Sequence, residues 1–206
     1  MNQVTQAIVV VVNGQPGVGK NHFAAGLELE GYELCSASTT LHEIAAERGM
    51  PEPLSRNYLN GLYKELQETQ GPLWNYQMVR DKIDRALRLG DRPKIVVDSA
   101  RNPAVMLAFL NLPEIDDRIK VLSLALIATA EIRHDNARAD AKDRSVEQEV
   151  AEYYSDTNTA SLSTVFADLA CQAHFIQTGI GDFSNQAEAT QWLADQGAFE
   201  VLQPDI

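Results

Sequence analysis

The segment that most constrains this chain is residues 7–20, where a run of β-branched residues, Ile8-Val-Val-Val-Val12, ends at Asn13 and leads into Gly14-Gln-Pro-Gly-Val-Gly-Lys20. Consecutive aliphatic residues without alternation predict a strand buried on both faces, as in a parallel sheet covered by helices. After the glycines, Phe23, Ala24 and Leu27 recur at helical spacing as far as Gly31, which supplies a C-terminal cap. A strand, a glycine-rich turn and a helix, in that order, form an element suited to phosphate. Glycines let the backbone bend around an anion, the helix adds its positive end, and Lys20 supplies a full charge.

This G-x-x-x-x-G-K pattern marks Gly14, Gln15, Pro16, Gly17, Val18, Gly19, Lys20, Asn21 and His22 as the residues expected around the phosphates of ATP. The alternative reading is a glycine-rich turn that binds nothing. Asn21 departs from the pattern, because a Ser or Thr hydroxyl at that position coordinates magnesium. An asparagine carbonyl can meet the metal directly or through water, but the same change is equally a mark of weakened or lost turnover. Binding is therefore the safer expectation than catalysis.

Further along, apolar runs predict strands at 32–35, 94–98 (KIVVD), 120–127 and 173–176. Helical periodicity predicts helices over 40–48, over two stretches between 55 and 89 parted at Gly71-Pro72, over 103–110, from Ser145 onward, and over 185–196. Proline is acceptable in the first turn of the second of the paired helices. Repeated strand–helix alternation implies an α/β fold around a parallel central sheet, with ligands at the carboxyl ends of the strands. Asp98 ends an apolar strand, where a carboxylate can organise magnesium; its plainer reading is an acid at a strand end.

A chain of 206 residues with 45% hydrophobic and 22% charged content suits one soluble globular domain, 1–206. Its formal charge of −12 disfavours nucleic acid and anionic membrane surfaces as partners, so any anionic ligand must be held by local positive groups. No segment is long and apolar enough to span a bilayer. Cys35 and Cys171 stand in no metal-ligand spacing, and a reducing cytoplasm is the expected compartment. The four histidines have no metal-binding spacing either, and Trp74, Tyr76 and Met78 read as core or cleft packing.

Gly14–Lys20, Glu43-Ile-Ala-Ala-Glu-Arg-Gly49, Ser55-Arg56, Gly71-Pro72 and Val97-Asp-Ser-Ala-Arg-Asn-Pro103 together resemble the dephospho-coenzyme A kinase-like and adenylate kinase-like nucleotide kinases. The resemblance runs in order from about Ile8 to Trp192 and lies nearest a dephospho-coenzyme A kinase-like branch known mainly from archaea. It implies a three-layer P-loop kinase fold with a helical acceptor-binding region at about 39–89 and a lid at about 131–156. It also implies ATP and Mg2+ as cofactors, with Asn21 and Asp98 at the metal. A small-molecule nucleotide acceptor, of nucleoside monophosphate or dephospho-coenzyme A type, would meet Arg56 and Arg101. Lys20, Arg101, Arg133 and Arg138 would act on the transferring phosphoryl group.

From the residues alone, the plainer reading of Arg101 is a helix-start surface residue. Arg133 and Arg138 share a mixed-charge run with Asp135, Asp140 and Asp143 that is equally a solvated face. Two other functions stay open: an ATP-binding regulatory protein with little turnover, and a nucleotide hydrolase that drives a partner. The acceptor's identity and the oligomeric state are not fixed by these patterns.

Overall fold

The β-branched run forms β1 (Ala7–Gly14), all eight residues of which are buried. Branching at Cβ suits the pleated strand, and helices on both sides remove any need for alternation. The computed structural model describes residues 6–14, 17–52, 54–98, 103–129, 131–133, 135–136, 174–177, 191–196 and 198. Beyond β1 the chain forms α1 (Lys20–Leu29), β2 (Glu33–Ser36), α2 (Ala37–Glu47), α3 (Arg56–Gln70) and α4 (Trp74–Arg88). It continues through β3 (Lys94–Asp98), α5 (Pro103–Leu110), α6 (Leu112–Ile115), β4 (Ile119–Ile127) and β5 (His174–Gln177).

The five strands pair in the order β2-β3-β1-β4-β5, and every pairing is parallel. From β1 the chain moves two places one way to reach β2, whereas the connections leaving β2 and β3 move the other way. Right-handed crossovers then put α1 on one face and α4 with α5 on the opposite face. The core agrees. Ile8, Val10 and Val12 pack with Phe23, Ala24 and Leu27 of α1. Ala7, Val9 and Val11 pack with Val79 and Ile83 of α4 and with Val105, Met106 and Phe109 of α5. Two helical layers thus enclose the parallel sheet, as the alternation predicts.

A satellite core joins the helices that connect β2 to β3. Its buried members include Leu41 and Ala45 of α2, Leu62 and Leu66 of α3, and Trp74. Trp74 meets the Tyr63 ring edge-to-face, with centroids 5.7 Å apart. Pro72 lies in a turn ahead of Leu73, the N-cap of α4, instead of inside the first helical turn. Helix α2 starts three residues before the expected Thr40 because the Ser36 hydroxyl, ending β2, also accepts from the Ser38 N–H at 3.2 Å and caps it. The helix expected from Ser145 lies outside the described residues; of that expected over 185–196, residues 191–195 are described and helical.

The last described segment is tied back to the sheet. Tyr32 Oη donates to the Ala198 carbonyl at 2.8 Å, and burial pushes this phenol well above its usual range, so it stays a neutral donor. Lys120 Nζ donates to the Gln196 carbonyl. No helix among the described residues is long and apolar enough to cross a membrane.

Between the helical layer and the start of β4, Asp116 collects two guanidinium groups. Arg118 donates to it through Nε and Nη2 at 2.9 Å each, and Arg80 of α4 donates at 3.0 Å while also pairing with Asp84 at 2.8 Å. Hydrogen bonds from Arg118 first, then Arg80, hold the Asp116 carboxyl at about 2. A depressed folded value means the stabilisation is complete above the unfolded value near 4 and is lost as pH falls toward about 2. Thermal stability should therefore drop more steeply over that acid range in the unmodified chain than in Asp116→Asn. Identical acid limbs in melts from pH 5 downward would show that the network adds nothing.

Candidate functional site

The connections of β1 and β3 leave for opposite faces, so a crevice opens between the carboxyl ends of these neighbouring strands. Val12 is in register with Asp98, and Gly14 therefore continues two residues, about 7 Å, beyond the last residue of β3. Ser36 at the end of β2 is also in register with Asp98. Asp98 is 6% exposed, an unusual burial for a strand-end carboxylate and one that places it within the crevice instead of on open surface.

The glycine loop spans from Gly14 to the start of α1. Gly19 is the N-cap of α1 at φ 90°, with no side chain to cap the helix, and the first turn carries no acid. The helix thus presents its positive end without competition from a carboxylate of its own first turn. Lys20 is buried, and its Nζ donates to the Gly14 carbonyl at 3.0 Å, so the ammonium lies across the loop. Asn21 and His22 are exposed in the first turn of α1.

The segment after β4 packs against this loop. Thr129 Oγ1 accepts from Ile132 N at 3.3 Å, and the Thr129 carbonyl accepts from Arg133 N at 3.1 Å, which turns residues 131–133 into a helical start. The Arg133 backbone then passes close to Gly17. A Cβ at Gly17 would drive into the Arg133 carbonyl oxygen and stand 3.1 Å from its carbonyl carbon and Cα, while φ there is +79°. Asn136 Nδ2 completes the contact by donating to the Gly17 carbonyl at 2.7 Å.

The predicted residues Gly14, Gly17, Val18, Gly19, Lys20 and Asn21 are therefore gathered at one end of β1, with Asp98 on the adjacent strand and the Arg133 main chain alongside. Arg56 opens α3, in the helical region that follows β2. Gln15, Pro16, Arg101 and Arg138 lie outside the described residues. For magnesium, the Asp98 carboxylate and the Asn21 carboxamide are oxygen donors of the hard type that this ion prefers. No group of three His, Cys, Asp or Glu side chains capable of holding a metal occurs among the described residues. An ion in this crevice would thus complete its shell with water and ligand oxygens.

Several contributors carry no sequence signal. Asn136 is 119 positions from its partner in the loop. Thr40 Oγ1 bridges the Ser36 carbonyl at 3.3 Å and Met78 Sδ at 3.4 Å, joining the end of β2 to α4. Asn13, 1% exposed, donates to Met106 Sδ at 3.1 Å and locks the strand end onto α5.

No family model and no curated protein matches the sequence. Solved structures do resemble the fold. The tunicamycin resistance protein of Deinococcus radiodurans is 20% identical with a TM-score of 0.52, covering 97% of this chain and 100% of that one. TT1252 of Thermus thermophilus is 15% identical with a TM-score of 0.56, covering 93% and 98%. A sugar kinase from Janibacter sp. is 17% identical with a TM-score of 0.52, covering 95% and 99%. The fold is that of the P-loop kinases, as the resemblance in the sequence implies.

The close approach at Gly17 is directly testable. Gly17→Ala must hold a left-handed backbone and displace the Arg133 segment, a cost of roughly 1–3 kcal/mol for the backbone alone. That should lower the melting temperature by several degrees. A variant that melts like the unmodified protein would show that the two segments do not meet.

Proposed function

We propose that this protein transfers the γ-phosphoryl group of ATP to a small-molecule acceptor of nucleotide or nucleotide-like character. The observation that carries this reading is the Lys20 ammonium lying across a glycine loop, with the buried carboxylate Asp98 ending the adjacent strand. The fold supports it, since P-loop kinases share this sheet and loop arrangement.

In this reading Lys20 exchanges the Gly14 carbonyl for phosphate oxygens. The loop amides and the N-terminus of α1 add further donors aimed at the same charge. Asn21 and Asp98 would hold Mg2+, which when bound would neutralise charge on the terminal phosphates. Arg101, with Arg133 or Arg138, would offset charge that develops on the transferring group, because a guanidinium binds two phosphate oxygens at once. The helical region at about 39–89, including Arg56, would receive the acceptor, and residues 131–156 would close over it. Closure would exclude water, which otherwise competes with the acceptor for the phosphoryl group. Catalysis comes from positioning and electrostatics, with no covalent intermediate on the protein.

A second reading, a nucleotide-binding regulator with little turnover, is favoured by one feature: Asn21 occupies the position of the metal-binding hydroxyl. Asn21→Thr separates the two. A large gain in magnesium-dependent turnover would support a degraded site, whereas a loss would show that Asn21 suits its task.

The primary test is transfer of labelled γ-phosphate from ATP to a panel of nucleoside monophosphates, deoxynucleoside monophosphates, dephospho-coenzyme A and simple sugars. The sugars are included because one structural neighbour is a sugar kinase. Acceptor-dependent product is expected, and Lys20→Ala should reduce it by about a hundredfold or more. ATP binding without transfer to any acceptor would favour the regulatory reading, and unchanged activity in Lys20→Ala would reject the proposed loop role.

A further inference from the structure

Asn136 holds the phosphate loop by a contact that none of the loop's own residues explains. Its Nδ2 donates to the Gly17 carbonyl at 2.7 Å, while the Arg133 main chain three residues earlier sits where a Gly17 side chain would be. A trans peptide points its C=O and N–H in opposite directions. Fixing the Gly17 carbonyl toward residues 131–136 therefore turns the N–H of the next residue, Val18, away from that segment. Within the same loop, Lys20 Nζ reaches the Gly14 carbonyl at 3.0 Å.

A glycine at φ +79° makes such an anchor consequential. Glycine has several backbone wells of similar energy, and an unanchored Gly17–Val18 peptide could rotate and present its carbonyl to an incoming phosphate. A carbonyl oxygen facing a phosphate repels it, whereas an amide N–H binds it. The 131–136 segment starts from the end of β4, which pairs along β1 up to the Gly14–Leu126 register pair. The loop and this segment thus follow adjacent strands of the sheet.

We infer that Asn136 is a positioning residue that sets the Gly17–Val18 peptide for phosphate binding and couples the base of the segment after β4 to the loop. This rests on the phosphate-binding reading of residues 14–20 and deepens it: the orienting group is supplied from the β4 side of the loop, by a side chain outside the loop motif. Asn136 touches the loop and not the reacting atoms, so its effect should appear in nucleotide affinity before it appears in the chemical step.

The test compares unmodified protein, Asn136→Ala and Asn136→Gln. Calorimetry would measure ATP binding, hydrogen exchange would follow residues 17–20, and thermal melts would monitor global stability. Loss of one hydrogen bond should weaken ATP binding about threefold to tenfold in Asn136→Ala. Exchange in the loop should quicken, the melting temperature should hardly change, and Asn136→Gln, which keeps the donor, should recover part of the affinity. Asn136→Ala with unchanged ATP affinity and loop exchange would overturn the inference and leave the loop reading intact. A lower melting temperature with unchanged affinity would reduce Asn136 to a structural residue and also overturn it. Failure of the unmodified protein to bind ATP would overturn both readings together.

Discussion

A strand with helices against both faces leaves no side chain for solvent, and β1 meets that constraint with five successive aliphatic β-branched residues. Each such side chain, fully buried, contributes about 1.5–3 kcal/mol relative to exposure, so β1 is strongly held in the sheet. Its position between β3 and β4 makes it the reference for everything at the carboxyl edge. The register with β3 fixes Gly14 beyond Asp98, and the register with β4 sets where the chain enters the 131–136 segment. A loop with several glycines would otherwise be a poor place to hold a ligand. Here its start is pinned by a strand paired along both edges, which cannot slip without breaking its ladders with β3 and β4.

The electrostatics of the site are local. With a formal charge of −12 the chain as a whole repels a polyphosphate, and long-range steering works against the encounter. What opposes this acts over a few ångströms: the N-terminus of α1, backbone amides, and Lys20, whose ammonium is already partnered by the Gly14 carbonyl. Phosphate binding as proposed would exchange one oxygen partner of Lys20 for another, without dragging an ammonium out of open water. Two cations of α4 are committed elsewhere, Arg80 to Asp84 and Asp116, and Lys82 to Glu33.

What the sequence made legible follows from the range of each interaction. Continuous aliphatic runs gave β1, β3 and β4 because burial on two faces leaves a local compositional trace. The glycine loop was legible because its conformation needs glycine at fixed places. The start of α2 was misplaced because Ser36 both ends a strand and caps a helix, leaving no loop between them to mark the boundary. Helix α6 was missed because four residues opening on Leu112-Pro113 are too few to show a period. The hold of Asn136 on Gly17 was invisible for another reason: it is a single hydrogen bond across 119 positions, and nothing in either neighbourhood points to the other.

Cys35 illustrates what burial at the sheet edge entails. It lies in β2, 5% exposed, and desolvation pushes its thiol above the usual range even though Lys82 Nζ stands 3.7 Å from the sulfur. A protonated, enclosed thiol is a poor nucleophile, so alkylating reagents reach it only when β2 and its covering helices part from β3. The rate of its modification is thus a clock for that opening. Because Ser36, the next residue, carries the cap of α2, the clock is set into the joint between the sheet and the helical layer that leads back to β3.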